Sequence, residues 1–218
     1  MTSQPIVKIC GLSESDGLNA ALSAGADMVG FVFFPASPRH IGAAKARELG
    51  VQVAGRARKV ALTVDATDDL LAEIVGALDP DLLQLHGRET PARAAAVRAR
   101  FGLPVLKAIG VSDICDVAGA SAYAGVAEAI LFDAKASPGA LRPGGNGLAF
   151  DWRLLAAAKS VAPFFLSGGL SCETVAEALA STGASGVDVS SGVESSPGVK
   201  DPEMIARFVA AARRAVLA

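Results

Sequence analysis

Eight times along the chain, a short run of β-branched and other apolar residues gives way to an Ala-rich stretch of helical length, and no other feature constrains the fold as strongly. Strands are predicted at Ile6–Cys10, Met28–Phe33, Val60–Val64, Leu82–His86, Val105–Ile109, Ala129–Asp133, Phe164–Ser167 and Gly186–Ser190. Helices are predicted at Ser15–Ala24, Ala43–Gln52, Asp68–Leu78, Pro91–Phe101, Ser112–Tyr123, Trp152–Lys159, Cys172–Thr182 and Pro202–Val216. Strand starts fall about 20 to 35 residues apart, the spacing of a strand-plus-helix unit. Each right-handed crossover lays the next strand beside the last. Eight such units without a hairpin signal therefore close into a parallel (β/α)8 barrel, the α/β class of the TIM barrel. An open, doubly wound sheet is the alternative, but it concentrates polar residues at one switch point, whereas here they stand at the C-terminal ends of nearly all strands. At 218 residues the chain has little room for additions to a barrel, so a single domain over residues 1–218 is expected.

Composition narrows the function classes. With 51% hydrophobic and 19% charged residues, the chain can bury enough apolar surface to fold. A net charge of −2 with one Tyr and one Trp leaves no basic, aromatic-studded surface for nucleic acid. The longest apolar runs, such as Val29–Pro35, are too short for a bilayer, and the polar Met1–Pro5 segment does not read as a leader, so neither membrane nor export is expected. Three cysteines without a C-x-x-C pair suggest neither a disulfide framework nor a zinc site, and a reducing cytoplasm is the expected compartment. The two histidines, His40 and His86, are too few for a His-rich metal centre, so no metal is expected. Acid–base work then falls mostly to carboxylates or a thiol.

The strand ends carry the chemistry. Ile6, Lys8 and Cys10 share one face of the first strand, which puts Cys10 at the barrel mouth, either as a reactive thiol or as a small buried hydrophobe. Strand six ends in Asp133, a turn residue or a catalytic carboxylate. Strands one and six lie three steps apart in the ring, so their ends face each other across roughly 10 Å or a little more. A thiol and a carboxyl so placed would flank a small bound sugar. Arg39, in a loop stiffened by Pro35 and Pro38, is a bidentate clamp for a carboxylate or phosphate, or else a solvated surface residue. His86 shares a face with Gln84 and is either a substrate contact or a structural histidine. After strands seven and eight, Ser167-Gly168-Gly169 and Ser190-Ser191-Gly192 expose backbone N–H groups and hydroxyls, and the second can open a short extra helix; together they read as an anion cradle. Gly145-Asn146-Gly147 follows no strand and is not a dinucleotide fingerprint. It belongs to the long loop Ala136–Ala149, which reads as a substrate lid or a surface excursion.

Taken together, Lys8-Ile9-Cys10-Gly11, Ser37-Pro38-Arg39, Gln84-Leu85-His86-Gly87, the Asp133 segment, Gly144-Gly145-x-Gly147 with Phe150-Asp151-Trp152, Ser167-Gly168-Gly169-Leu170 and Asp188-Val189-Ser190-Ser191-Gly192-Val193-Glu194 resemble the phosphoribosylanthranilate isomerase family, in order and over almost the whole chain. The sequence departs from the family at Asn146, where Ser or Thr is more usual, and at Leu148, where Lys is common. The resemblance implies an Amadori rearrangement of N-(5′-phosphoribosyl)anthranilate to 1-(o-carboxyphenylamino)-1-deoxyribulose 5-phosphate, with this phosphosugar-anthranilate as the small-molecule partner and no cofactor. It also implies Asp133 as general acid, Cys10 as general base, Arg39 on the anthranilate carboxylate, and Gly168, Gly169, Ser190, Ser191 and Gly192 on the phosphate. The related sugar-phosphate isomerase of histidine synthesis would instead resemble a pair of aspartates at opposed strand ends. A non-catalytic phosphosugar-binding barrel would need neither Cys10 nor Asp133. The chain is expected to act as a monomer or homodimer.

Barrel closure carries one further expectation. Lys8 and Asp188 each precede a mouth residue by two positions on neighbouring strands, so they should meet as a buried pair whose ammonium favours the Cys10 thiolate, or which serves packing alone. Lys8, His86 and Asp188 are therefore further site candidates.

Overall fold

A computed structural model describes residues 4–137, 139–140, 142–145, 147–155 and 163–215. Its eight long-range strands are β1 (Ile6–Cys10), β2 (Met28–Phe33), β3 (Arg58–Thr63), β4 (Leu82–Leu85), β5 (Val105–Val111), β6 (Ala129–Ala134), β7 (Phe164–Leu166) and β8 (Gly186–Val189). They pair in chain order, and β8 returns to β1 to close the barrel. The parallel β1–β8 register sets Ile6 opposite Gly186 and Lys8 opposite Asp188. Side chains alternate along each strand. Ile6, Met28, Val60, Leu82, Leu106, Ala108, Ala129, Leu131 and Phe165 fill the barrel interior. The intervening Val7, Ile9, Val29, Phe31, Leu83, Ile130 and Val187 join the larger core under the helices. Burial on both faces is why these strands read as nearly continuous apolar runs.

The outer layer consists of α1 (Ser15–Ser23), α2 (Ala43–Val53), α3 (Asp68–Leu78), α4 (Pro91–Phe101), α5 (Ile114–Gly119), α6 (Val175–Thr182) and α7 (Pro202–Arg214). Helix starts are written locally. Thr67 and Thr90 accept from the backbone N–H groups of Leu70 and Arg93, and Asp201 caps α7 just ahead of Pro202. Helix α7 buries Ile205, Phe208, Val209 and Ala212, the spacing of one helical face. No helix of the described residues is long and apolar enough to cross a membrane.

Three expectations need adjusting. The stretch predicted as one helix over Ser112–Tyr123 begins at the Asp113–Asp116 capping box, and its α-helical turns stop at Gly119, a poor helix former, before a 3-10 turn over Ala120–Tyr123. The helix expected from Cys172 starts at Val175, because Thr174 turns its hydroxyl to the Ser171 N–H. In the predicted Trp152–Lys159 helix, residues 152–155 form a 3-10 turn and residues 156–159 lie outside the described part of the chain, as do Val216 and Asn146.

One element was not anticipated. After β8 the expected short helical turn, Ser191–Val193, is present, but it leads into an antiparallel hairpin of β9 (Glu194–Ser196) and β10 (Val199–Lys200). Pro197-Gly198 forms its tip, with Gly198 at φ +88, and that dipeptide is the signal the alternation reading passed over.

Candidate active site

Polar side chains from six strands or their ends converge on one cleft at the C-terminal mouth, about 750 Å³ counted to its open rim. Cys10, Arg39, His86, Asp133, Asp188 and the loops after β7 and β8 all line it. The expectation that the thiol of the first strand and the acid of the sixth look into one cavity is therefore met. Val32, Phe34, Leu62 and Val64 supply an apolar wall.

At the floor lies the buried pair predicted from strand register, Asp188 lining the cleft and Lys8 behind it. Lys8 Nζ and Asp188 Oδ1 are 2.6 Å apart with the lysine side chain fully buried. The other carboxylate oxygen accepts from Ser167 Oγ at 3.3 Å. Room for this arrangement comes from Gly30 on β2, where a Cβ would lie 2.8 Å from Cys10 Sγ and 3.1 Å from Lys8 Nζ. Lys8 itself does not line the cleft, so it reaches any ligand only through Cys10 and Asp188. Burial alone would lower the Lys8 pKa, but the Asp188 carboxylate and the Cys10 thiol beside it raise it above the ordinary lysine range. Burial pushes the Cys10 thiol up, and Lys8 pulls it only part of the way back. The ammonium thus favours the thiolate as expected, but desolvation is the larger effect.

Across the mouth, Asp133 is 5% exposed and accepts from the Ala134 N–H at 2.8 Å. Its Oδ2 faces His86 Nε2 at 3.4 Å. The Gln84 side-chain amide lies 2.9 Å from His86 Nδ1. With that amide donating, Nδ1 is the acceptor, and the ring proton sits on Nε2, aimed at Asp133. Of the two readings left open for His86, the ring is both hydrogen-bonded within the barrel and exposed to the cleft. The long loop closes over this pair: a Cβ on Gly144 would overlap Asp133 Oδ2 and His86 Nε2.

Of its two sequence readings, Arg39 departs from the solvated one. It is 4% exposed, so it is no solvated surface residue. Its side-on edge is already taken, because Nε and Nη2 each donate to a Glu194 oxygen at 2.7 Å. Only the end-on edge is left for a clamp, and Nη1 there reaches the Gly145 carbonyl at 3.3 Å. Glu194 Oε1 also accepts from Lys200 Nζ at 2.7 Å, and Lys200 donates on to the carbonyl and hydroxyl of Ser190. Glu194 and Lys200 were not singled out from the sequence. Arg39 and Lys200 together outweigh the burial that would raise the Glu194 pKa, and hold its carboxyl below the usual range.

The loops after β7 and β8, expected to form an anion cradle, both line the cleft with Ser167, Gly168, Gly169, Ser190, Ser191 and Gly192. Gly168 and Gly169 both have positive φ, +83 and +65, and a Cβ on Gly192 would collide with the Leu170 carbonyl. Glycine at these points leaves the cleft wall beside Ser190 and Ser191 free of side-chain bulk.

Residues 7–211 match the family model of N-(5′-phosphoribosyl)anthranilate isomerase. A protein of that name from Rhodopseudomonas palustris (strain HaA2) is 60% identical over 208 residues, 95% of either chain. One from Bradyrhizobium sp. (strain ORS 278) is 60% identical over 210 residues, 96% of either chain. Among solved structures, phosphoribosyl anthranilate isomerase from Thermotoga maritima superposes with a TM-score of 0.88 at 32% identity, covering 97% of this chain and all of that one. A phosphoribosyl anthranilate isomerase in complex with reduced 1-(o-carboxyphenylamino)-1-deoxyribulose 5-phosphate gives a TM-score of 0.85 at the same identity, with 97% of this chain and 100% of that one covered. With motifs, barrel and relatives in agreement over nearly its full length, the chain belongs to the N-(5′-phosphoribosyl)anthranilate isomerase family, isomerases of tryptophan biosynthesis.

Proposed function

We propose that this chain converts N-(5′-phosphoribosyl)anthranilate to 1-(o-carboxyphenylamino)-1-deoxyribulose 5-phosphate by an Amadori rearrangement, with Asp133 as general acid and Cys10 as general base. The observation that carries this reading is the opening of both groups, from β6 and β1, into one cleft. The glycine- and serine-rich loops after β7 and β8, Arg39 and an apolar wall line the same cleft. The phosphate binds at Gly168, Gly169, Ser190, Ser191 and Gly192, the anthranilate ring lies along Val32, Phe34 and Leu62, and its carboxylate meets the end-on edge of Arg39. Two tethered anions fix the ribose between acid and base, which makes ring opening effectively unimolecular.

In the first step Asp133 gives its proton to the furanose ring oxygen while the nitrogen lone pair expels it, breaking the C1′–O bond and leaving a protonated Schiff base. The Cys10 thiolate then takes the C2′ proton, and the electron pair of that C–H bond neutralises the iminium to an enolamine. Tautomerisation, with a proton lost from the C2′ hydroxyl and one gained at C1′, gives the ketone. The atoms balance without net redox change, C1′ being reduced as C2′ is oxidised, so a proton donor and a proton acceptor are the chemistry the protein must supply. The His86 Nε2–H, 3.4 Å from Asp133 Oδ2, is placed to stabilise the carboxylate once its proton has gone.

Cys10→Ala and Asp133→Asn test the assignment, with product identified by NMR. Each should lower kcat by about a hundredfold or more, while binding of the product by calorimetry survives within about threefold. Undiminished turnover in either variant would remove that residue from the mechanism. Absence of turnover in the unaltered protein, with phosphosugar binding intact, would favour a non-catalytic binding barrel.

A further inference from the structure

Arg39 is a held residue, and what holds it decides which of its edges a ligand can meet. A guanidinium presents two edges able to take a carboxylate in parallel hydrogen bonds: Nε with Nη2, and Nη1 with Nη2. Glu194 fills the first with two bonds of 2.7 Å, and both side chains are about 95% or more buried. Glu194 is fixed in turn. Its Oε1 accepts from Lys200 Nζ at 2.7 Å and its Oε2 from the Gly198 N–H at 3.2 Å. Lys200 anchors at the Ser190 carbonyl, 2.9 Å, and hydroxyl, 3.2 Å. The hairpin also presses on the loop that carries the arginine, since a Cβ on Gly198 would lie 2.8 Å from the Pro38 carbonyl oxygen. Two buried cations against one carboxylate leave the cluster with one net positive charge, and of the two cations Arg39 is the one that lines the cleft, its Nη1 donating to the Gly145 carbonyl at 3.3 Å.

We propose that Glu194 is a positioning residue for substrate selection: it blocks the side-on edge of Arg39 and aims the end-on edge at the aromatic carboxylate, while Lys200 ties the same carboxylate to Ser190. The inference rests on the reading above in which Arg39 takes the anthranilate carboxylate. It assigns the β9–β10 hairpin a function, which is to fix the Arg39 guanidinium relative to Ser190 through Glu194 and Lys200. Glu194 itself touches no reacting atom, so its removal should act on recognition rather than on the proton transfers.

The test compares N-(5′-phosphoribosyl)anthranilate with N-(5′-phosphoribosyl)aniline, which lacks the carboxylate. The unaltered enzyme should prefer the former in kcat/KM by about a hundredfold, the scale of a charge-assisted bidentate contact. In E194Q that preference should fall by about tenfold, mainly through KM, with kcat for the natural substrate changed less than about threefold. Because Glu194 acts through Arg39, the E194Q/R39K double variant should discriminate no worse than R39K alone. Full discrimination in E194Q, or a further loss in the double variant, would overturn the proposal. If E194Q fails to fold by circular dichroism, E194D serves in its place. It keeps the charge but is one methylene short of spanning both nitrogens, so the same loss is expected and unaltered preference refutes it. Failure of the underlying reading looks different: the unaltered enzyme would not discriminate at all, or R39K would leave discrimination intact.

Discussion

Two buried lysines of this fold, Lys8 and Lys107, each face a buried carboxylate, yet their surroundings give them different work. Lys107 points outward from β5, between barrel and helices, and its ammonium is saturated: it donates to Glu89 at 3.0 Å and to the Leu85 and Gly87 carbonyls at 3.1 and 2.7 Å. Glu89 in turn accepts from the Asp65 N–H at 2.9 Å and the Gly87 N–H at 3.0 Å, so the network ties the loop after β3 to the loop after β4. Lys8 points inward, makes one short bond to Asp188, and turns its remaining face to a thiol at the edge of the cleft. A buried pair whose remaining ammonium protons are all spent on backbone braces the fold. One that leaves protons beside a reactive group can tune it.

The most disruptive way to probe that contrast is to remove the brace. Lys107→Met leaves the Glu89 carboxylate, 3% exposed, without a counter-charge, and strands two carbonyls. Breaking such a pair by losing one partner costs about 3–5 kcal/mol, to be read as a lowered urea midpoint. Turnover per folded molecule should fall less than in Lys8→Met. The reverse ordering would mean that the outer network, through the loop bearing His86, is the one serving catalysis.

Lys8→Met sharpens the comparison from the other side. The thiol already lies above its ordinary pKa because burial outweighs the pull of Lys8. Without the ammonium only burial and the Asp188 carboxylate remain, and both push the thiol higher. Thiolate fraction rises with pH, so the rate of Cys10 alkylation by iodoacetamide should climb through neutrality into the alkaline range. In Lys8→Met the alkylation profile should move to still higher pH, with kcat/KM at neutral pH down by about tenfold or more. Superimposable alkylation profiles would reduce the inner pair to packing. Because the Lys8 pKa is raised above that of an unfolded lysine, its stabilising contribution is complete below the ordinary lysine value near 10.5, and is lost as pH climbs through the folded-state value.

The two regions also differ in how far the sequence discloses them. Strand period and register suffice for Lys8 and Asp188, because side chains alternate and closure makes β1 and β8 neighbours. The same reasoning brings Cys10 and Asp133 to one mouth. Lys107 is hidden in an apolar run, and its partner Glu89 reads as a loop residue ahead of a helix cap. Glu194 stands 155 positions from Arg39, in a hairpin whose only local sign is Pro197-Gly198, and Lys200 looks like any solvated lysine. Periodicity reports which face a residue takes. It is silent on which of two distant loops will meet.

The rim pair offers the mildest perturbation and a third point for the comparison. Glu194, pulled below the usual carboxylate range by Arg39 and Lys200, should add stability that is complete above the unfolded carboxylate pKa and is lost as pH falls through the folded value. Lys200 is depressed, chiefly by burial, with Arg39 adding to the effect. Its folded form releases its proton earlier than an unfolded lysine does, so raising the pH through that range favours the fold. The rim therefore weakens on the acid side, where Lys8 does not titrate. Urea midpoints measured from neutrality down past the carboxylate range should fall less steeply in E194Q than in the unaltered chain, and Lys8→Met should leave that acid slope nearly unchanged. Parallel slopes for E194Q and the unaltered chain would place the acid sensitivity elsewhere, and would mean that the Arg39–Glu194 contact contributes geometry to the site without contributing charge-dependent stability.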